Sequence, residues 1–115
     1  MNAPTSDVFD VAVIGAGAWG TALSILLAQK GEQVVLWTWQ KEHCDALRRD
    51  RENRAFFPGF ALPGSVAVTS DLGEAAGGAS MIVLVVPSDA FRATLVGLPW
   101  ATSFAKLGPD RNVET

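Results

Sequence analysis

Val11-Ala12-Val13-Ile14-Gly15-Ala16-Gly17-Ala18-Trp19-Gly20 decides how the rest of this 115-residue chain is read. β-Branched residues run up to Ile14 and stop on a glycine, the pattern of a buried strand that breaks into a tight turn. The strand is expected over Asp7–Ile14. From Ala18 or Trp19 to Lys30, the residues Ala22, Leu23, Leu26 and Leu27 recur at helical spacing, and Gly31 is placed to close the helix as its C′ residue. Gln33–Trp37 then reads as a second strand. Strand, glycine turn, helix and strand thus fall within a unit of about 30 residues.

The same alternation continues outward. Lys41–Arg51 reads as a helix with Leu47 inward and Glu42, Asp45, Arg48 and Arg49 on its wet side. Asn53–Gly64 reads as a loop with Phe56, Phe57 and Phe60 spaced among Pro58, Gly59, Pro63 and Gly64. Ser65–Thr69 is a short third strand, and Ser70 is a good N-cap for a brief helix over Asp71–Ala76 ending at Gly77-Gly78. Met81–Val86 is continuous and apolar, hence a strand buried on both faces. Pro87 ends it, Ser88 can cap, and Ala90–Val96 reads as helical. Alternating strands and helices demand a parallel sheet. The expected fold is α/β, the first half of a Rossmann-type doubly wound parallel sheet in strand order 3-2-1-4. Residues 1–98 form a partial dinucleotide-binding domain and 99–115 an irregular tail. No strands remain for the outer side of the fourth, so the sheet is expected to be incomplete at its C-terminal side, with an open edge at Met81–Val86 available for self-association.

Composition narrows the function classes. Apolar residues make up 49% of the chain, and counting glycine the share rises to roughly 58%, above the ordinary 45–50%. That excludes a disordered chain. Nine basic against twelve acidic residues give a net charge of −3, which argues against nucleic acid or an anionic membrane as partner. The single cysteine, Cys44, excludes an internal disulfide framework and fits a reducing compartment. The opening residues lack a basic and then apolar signal, and no apolar run nears the roughly 20 residues that span a bilayer. A cytoplasmic domain is expected.

Gly15-Ala16-Gly17-Ala18-Trp19-Gly20 is a G-x-G-x-x-G in the strand-turn-helix context that gives the motif meaning. Gly15 makes the sharp turn. At Gly17 the missing side chain lets backbone approach a pyrophosphate, and Gly20 lets the helix lie close on the strand. The anion would sit at the helix N-terminus, where free N–H groups and the dipole favour negative charge. The alternative is a glycine turn without a ligand. NAD sites commonly carry an acid at the end of the second strand for the ribose 2′-hydroxyl. Here that end reads Leu36-Trp37-Thr38-Trp39-Gln40-Lys41, so nothing repels a 2′-phosphate, and either NAD or NADP is expected. Lys41 either attracts that phosphate or simply starts a solvated helix. Trp39 either stacks on adenine or covers the sheet edge.

Other candidates carry less. His43 and Cys44 are neighbours on a helix and point in different directions, so no metal site is expected. Arg48, Arg49, Arg51 and Arg54, interleaved with Asp50 and Glu52, read as a solvated face rather than a phosphate clamp. The phenylalanine loop reads as satellite core. Pro87-Ser88 lies at the carboxyl end of the fourth strand, beside the crevice where such sheets bind ligands.

Taken together, Val13–Leu23 (VIGAGAWGTAL), Val34–Trp37, Arg51–Gly59 (RENRAFFPG), Leu62–Leu72 (LPGSVAVTSDL) and Val83–Arg92 (VLVVPSDAFR) closely resemble the N-terminal domain of bacterial NAD(P)-dependent sn-glycerol-3-phosphate dehydrogenases. The resemblance implies reversible reduction of dihydroxyacetone phosphate to glycerol 3-phosphate, serving phospholipid synthesis in the cytoplasm. It also implies a cofactor held by Ala18 and Trp19 in the glycine turn, by the residue at Trp39 and by the loop near Phe56. The cofactor-binding set expected is therefore Gly15, Gly17, Ala18, Trp19, Gly20, Trp39, Phe56 and Pro87. The family usually has Arg or His where Trp39 stands, and Ser103 occupies the place of a lysine in a Trp-Ala-Thr segment. The family's catalytic lysine lies in a C-terminal substrate domain expected to be absent here, so no catalytic residue is assigned and the chain is expected to be inactive alone. Two other readings compete: a stand-alone dinucleotide-binding module, and the N-terminal part of another NAD(P)-dependent dehydrogenase. The phenylalanine loop and the Val-Pro-Ser segment argue against the latter.

Overall fold

In the computed structural model, residues 9–85 are described, together with the backbone strand at 104–106. The elements in chain order are β1 (Phe9–Ile14), α1 (Ala18–Gln29), β2 (Val34–Trp37), α2 (Lys41–Asp50), β3 (Glu52–Asn53), β4 (Phe57–Ala61), β5 (Val66–Thr69), α3 (Leu72–Gly77), β6 (Ala79–Leu84) and β7 (Phe104–Lys106). Five strands form one sheet in the order β5-β2-β1-β6-β7, and every pairing in it is parallel. The expected order 3-2-1-4 is the run β5-β2-β1-β6. The chain moves outward from β1 to β2 and β5, then returns to lay β6 on the other side of β1, which places a topological switch at the β1/β6 boundary.

Both faces of the sheet are covered, and the strand residues alternate between them as the period of two demands. Val11 and Val13 of β1, Val34 and Leu36 of β2 and Val83 of β6 join Ile25 of α1 and Cys44 and Leu47 of α2 in one core cluster. Ala12, Ile14, Val35, Trp37, Ile82 and Leu84 face the other way, against Ala75 and Ala76 of α3. Ala12, Val13, Ile14, Val34, Leu36 and Leu84 are fully shielded from solvent. Each of the valine, leucine and isoleucine side chains among them contributes about 1.5–3 kcal/mol of transfer free energy. The Trp37 indole N–H is buried and finds no acceptor among the described residues; nothing in the fold explains it.

Helix ends follow the local chemistry. At the end of α1 the Gly31 N–H donates to Ala28 O and the Glu32 N–H to Leu27 O, with Gly31 at φ +95°. This is a Schellman closure, as the placement of Gly31 implied. At the other end, Gly15 adopts φ +128°, open to glycine and strained for other residues. A Cβ on Gly20 would lie 1.7 Å from the Gly15 carbonyl oxygen. Only a hydrogen at residue 20 permits α1 to approach β1 this closely.

Several elements depart from the expectations. The Asn53–Gly64 segment, with Glu52 just before it, forms an antiparallel pair, with Glu52 opposite Ala61 and Asn53 opposite Phe57 across an irregularity in β3. The Leu62 N–H donates to Arg51 O at 2.7 Å, extending that ladder into α2's terminus. Arg51 is not helical but a left-handed C-cap at φ 53°. The cap of α3 is Asp71, whose Oδ1 accepts from the Glu74 N–H at 2.9 Å; Ser70 stands one residue too early. Thr69 causes the displacement: its hydroxyl accepts the Asp71 N–H at 3.0 Å, holding that residue outside the helix. Met81 is 47% exposed, so burial on both faces begins at Ile82. The outer side of β6 is not wholly open, because Phe104–Lys106 pairs with Ile82–Leu84; residues 99–115 therefore include a strand where an irregular tail was expected. Pro87, Ser88 and the helix expected over Ala90–Val96 lie outside the described residues.

Three substitutions test this account by thermal or chemical denaturation. Gly20→Ala is expected to cost about 3 kcal/mol or more by overpacking, lowering the midpoint of a chain this size by more than about 10 °C. Asp71→Ala should cost about 1 kcal/mol through loss of the cap, whereas Ser70→Ala should stay within about 0.5 kcal/mol; the reverse ranking would refute the capping assignment.

Candidate functional site

The candidate site begins where β1 stops. The Gly15 N–H donates to Trp37 O at 2.9 Å, and the Val85 N–H donates to Ile14 O at 2.8 Å. The glycine turn is thereby suspended between the carboxyl ends of β2 and β6. Gly17 is the N-cap of α1 and offers no side chain to cap it, and the first turn of the helix carries no acid. The leading N–H groups of a helix lack internal acceptors, so this end presents uncompensated donors. A Cβ on Gly17 would meet nothing within 4 Å. The contrast with Gly20 is informative: one glycine is required by packing inside the protein, the other opens onto space that none of the described residues fills.

Three further chain segments reach this turn. Asn53 of β3 is completely buried. Its Nδ2 donates to Ala16 O at 2.9 Å and to Thr21 Oγ1 at 2.7 Å, while its Oδ1 accepts the Phe56 N–H at 3.1 Å. His43 of α2 donates from Nε2 to the same Ala16 carbonyl at 3.0 Å. The Phe56 ring meets the His43 imidazole edge-to-face, with centroids 5.4 Å apart. Phe56 is thus brought to the glycine turn through His43 and Asn53. Neither of those two was singled out as a site residue from the sequence. The Asn-x-x-Phe spacing carried a signal, since asparagine side chains commonly accept from nearby backbone amides.

Trp19, Trp39 and Phe56 are the exposed aromatic residues around this end, at 60%, 74% and 55%. Trp39 lies between the end of β2 and the start of α2. The satellite-core expectation for the phenylalanine loop holds for Phe57, which packs on the α1/α2 core and stacks with Phe60 at 4.8 Å. Phe56 and Phe60 remain exposed, because the hairpin turns them away from the sheet. Pro87 lies outside the described residues.

The arginines hold the frame. Arg48 Nε donates to Val68 O at 2.8 Å, and one Arg51 terminal nitrogen donates to both Pro63 O and Val66 O. Arg54 pairs with Glu52 at 3.6 Å. Arg49 and Asp50 pair with each other, the hydrogen bond raising the guanidinium and lowering the carboxyl from their ordinary values. Lys41 lies 3.6 Å from Asp45. Among the described residues no group of three or more His, Cys, Asp and Glu is arranged to hold a metal ion, and no helix is long and apolar enough to cross a membrane.

Comparison with known proteins supplies the family. Residues 10–103 match the model described as NAD-dependent glycerol-3-phosphate dehydrogenase N-terminus. Glycerol-3-phosphate dehydrogenase (NAD(P)+) of Thermus thermophilus is 52% identical over 99 residues, covering 84% of this chain and 31% of that protein. The Xanthomonas campestris protein of the same name is 41% identical over 121 residues, covering 96% of this chain and 35% of its own length. A crystal structure of glycerol-3-phosphate dehydrogenase from Coxiella burnetii superposes with a TM-score of 0.79 at 32% identity, over 87% of this chain and 32% of that one. The chain therefore spans about a third of the length of the relatives it matches. It belongs to the NAD(P)-dependent glycerol-3-phosphate dehydrogenase family and corresponds to that family's N-terminal, dinucleotide-binding domain.

Proposed function

We propose that this chain binds NAD or NADP at the carboxyl end of its sheet, with the diphosphate seated on Gly15, Gly17, Ala18, Trp19 and Gly20. Trp39 and Phe56 flank that seat, and Pro87 is assigned to it from its position in the sequence. The observation that carries the reading is the pairing of an empty direction at Gly17 with a filled one at Gly20. A turn conserving space only for packing would need the second glycine and not the first. The uncapped, acid-free start of α1 supports the same ligand, since an anion supplies both the missing acceptor and the missing charge.

Within a family polypeptide about three times as long, this domain is proposed to hold the nicotinamide that carries hydride between the cofactor and the dihydroxyacetone phosphate/glycerol 3-phosphate pair, serving glycerophospholipid synthesis. Hydride transfer to a carbonyl also needs a positioned proton donor. No residue among those described is assigned that role, so the chain by itself is proposed to bind cofactor without turnover. A cytoplasmic setting is proposed as well, supported by the single, free and buried Cys44.

Titration of the chain with NAD, NADH, NADP and NADPH by calorimetry tests the assignment. Saturable binding is expected, and Gly17→Val should weaken it by at least about 100-fold, because branched carbons would occupy the path of the diphosphate. Its circular dichroism should remain that of the parent, since a Cβ there meets no atom of the described residues within 4 Å beyond its chain neighbours. Equal binding by Gly17→Val and the parent would refute the site.

A further inference from the structure

The carbonyl of Ala16 receives two side-chain donors from different elements, Nε2–H of His43 at 3.0 Å and Nδ2–H of Asn53 at 2.9 Å. In a trans peptide the C=O and the following N–H point in opposite directions, and this chain has no cis peptide among its described residues. Fixing the Ala16 oxygen toward α2 and β3 therefore aims the Gly17 N–H the other way. A Cβ on the same residue would meet no described atom within 4 Å, so the residue that carries this N–H is not packed over.

We infer that His43 and Asn53 are positioning residues for the dinucleotide site: they lock the Ala16–Gly17 peptide so that its N–H is presented to the diphosphate before the ligand arrives. The inference rests on the proposed cofactor reading and adds the device that organises it. A peptide that leads into a glycine flips its plane more readily than one between two substituted residues, and a flip at Ala16–Gly17 would put a carbonyl oxygen where an anion is to bind. Two donors on one carbonyl oppose that flip. Asn53 is committed to the task from all sides, because its remaining nitrogen hydrogen goes to Thr21 Oγ1 and its oxygen accepts from Phe56. The same amide therefore also sets the distance between the glycine turn and the Phe56 loop. His43 adds an edge contact to the Phe56 ring, so both residues tie that aromatic surface to the diphosphate seat.

His43 is only half-buried and so allows a test that a fully buried asparagine does not. His43→Phe retains an aromatic ring against Phe56 and deletes the donor; His43→Gln retains an N–H at similar reach and deletes the ring. With NADH as probe, His43→Phe is expected to bind about fivefold more weakly than the parent, the worth of one net hydrogen bond. His43→Gln should stay within about twofold. Thermal melts of both variants report the folded fraction, and affinities are compared well below the melting transition. Equal binding by His43→Phe and the parent would overturn the inference while leaving the cofactor reading in place. So would weakening in His43→Gln as great as in His43→Phe, since an N–H at that reach would then fail to restore binding. Absence of NADH binding by the folded parent would remove the cofactor reading, and this inference with it.

Discussion

The structure depends on one close approach, that of the first turn of α1 to the end of β1. With 1.7 Å between a notional Cβ at Gly20 and the Gly15 oxygen, the helix can start only where residue 20 has no side chain and residue 15 accepts a positive φ. From that contact follows the direction of α1 across the sheet, and hence the face that Ile25 and Leu27 cover. It also sets the level at which the helix begins, flush with the carboxyl ends of β1, β2 and β6. The uncompensated N–H groups of α1 are therefore delivered to the switch between β1 and β6, where an open α/β sheet has its crevice.

The rest of the described chain braces this arrangement rather than adding surface to it. The short β3–β4 hairpin is small by strand count, yet it carries Asn53 into the interior and Phe56 to the rim. It is anchored through Arg51, whose carbonyl accepts from Leu62 and whose guanidinium bonds the carbonyls of Pro63 and Val66. Arg51 also closes α2 in a left-handed conformation. One residue thus ends a helix, opens a hairpin and tethers the lead-in to β5. Hydrogen bonds from arginine to carbonyl oxygens are charge-assisted and stronger than neutral ones, which suits a segment with few large apolar anchors of its own.

Much of this was legible in the residues because it was local. The strand-turn-helix of residues 9–29, the Gly31 closure and the parallel core strands follow from period, punctuation and β-branching. Their order in the sheet follows from alternation. What was not legible depended on distant partners. The hairpin at residues 52–61 pairs over a few positions interrupted by Pro58 and Gly59, and its strands have no periodic signature to announce them. Asn53 looked like a loop residue because asparagine usually is one; its burial comes from meeting Ala16 and Thr21, 37 and 32 positions away. The choice between Ser70 and Asp71 as helix cap was decided by the Thr69 hydroxyl, a matter of one hydrogen bond. Met81 looked like core by its neighbours, yet it lies near the beginning of β6 rather than under a helix.

The end of β2 shows how far the site constrains cofactor choice. Thr38 is buried, Trp39 stands 74% exposed, and Lys41 pairs with Asp45 across a solvent-exposed gap of 3.6 Å. There is no carboxylate to favour a free ribose 2′-hydroxyl and repel a phosphate. An exposed ion pair of this kind is worth only about 0–1 kcal/mol, so Lys41 is neither held at a fixed point nor prevented from leaving Asp45. Strong discrimination between ligands that differ by one polar group requires partners left unpaired by the wrong one. An exposed indole has a single donor and a large π surface, and in the proposed site it would stack on an adenine ring whatever the substituent on the ribose beside it. In the proposed site this end would recognise the base rather than the 2′ group, and on that ground NAD and NADP remain together in the proposed function.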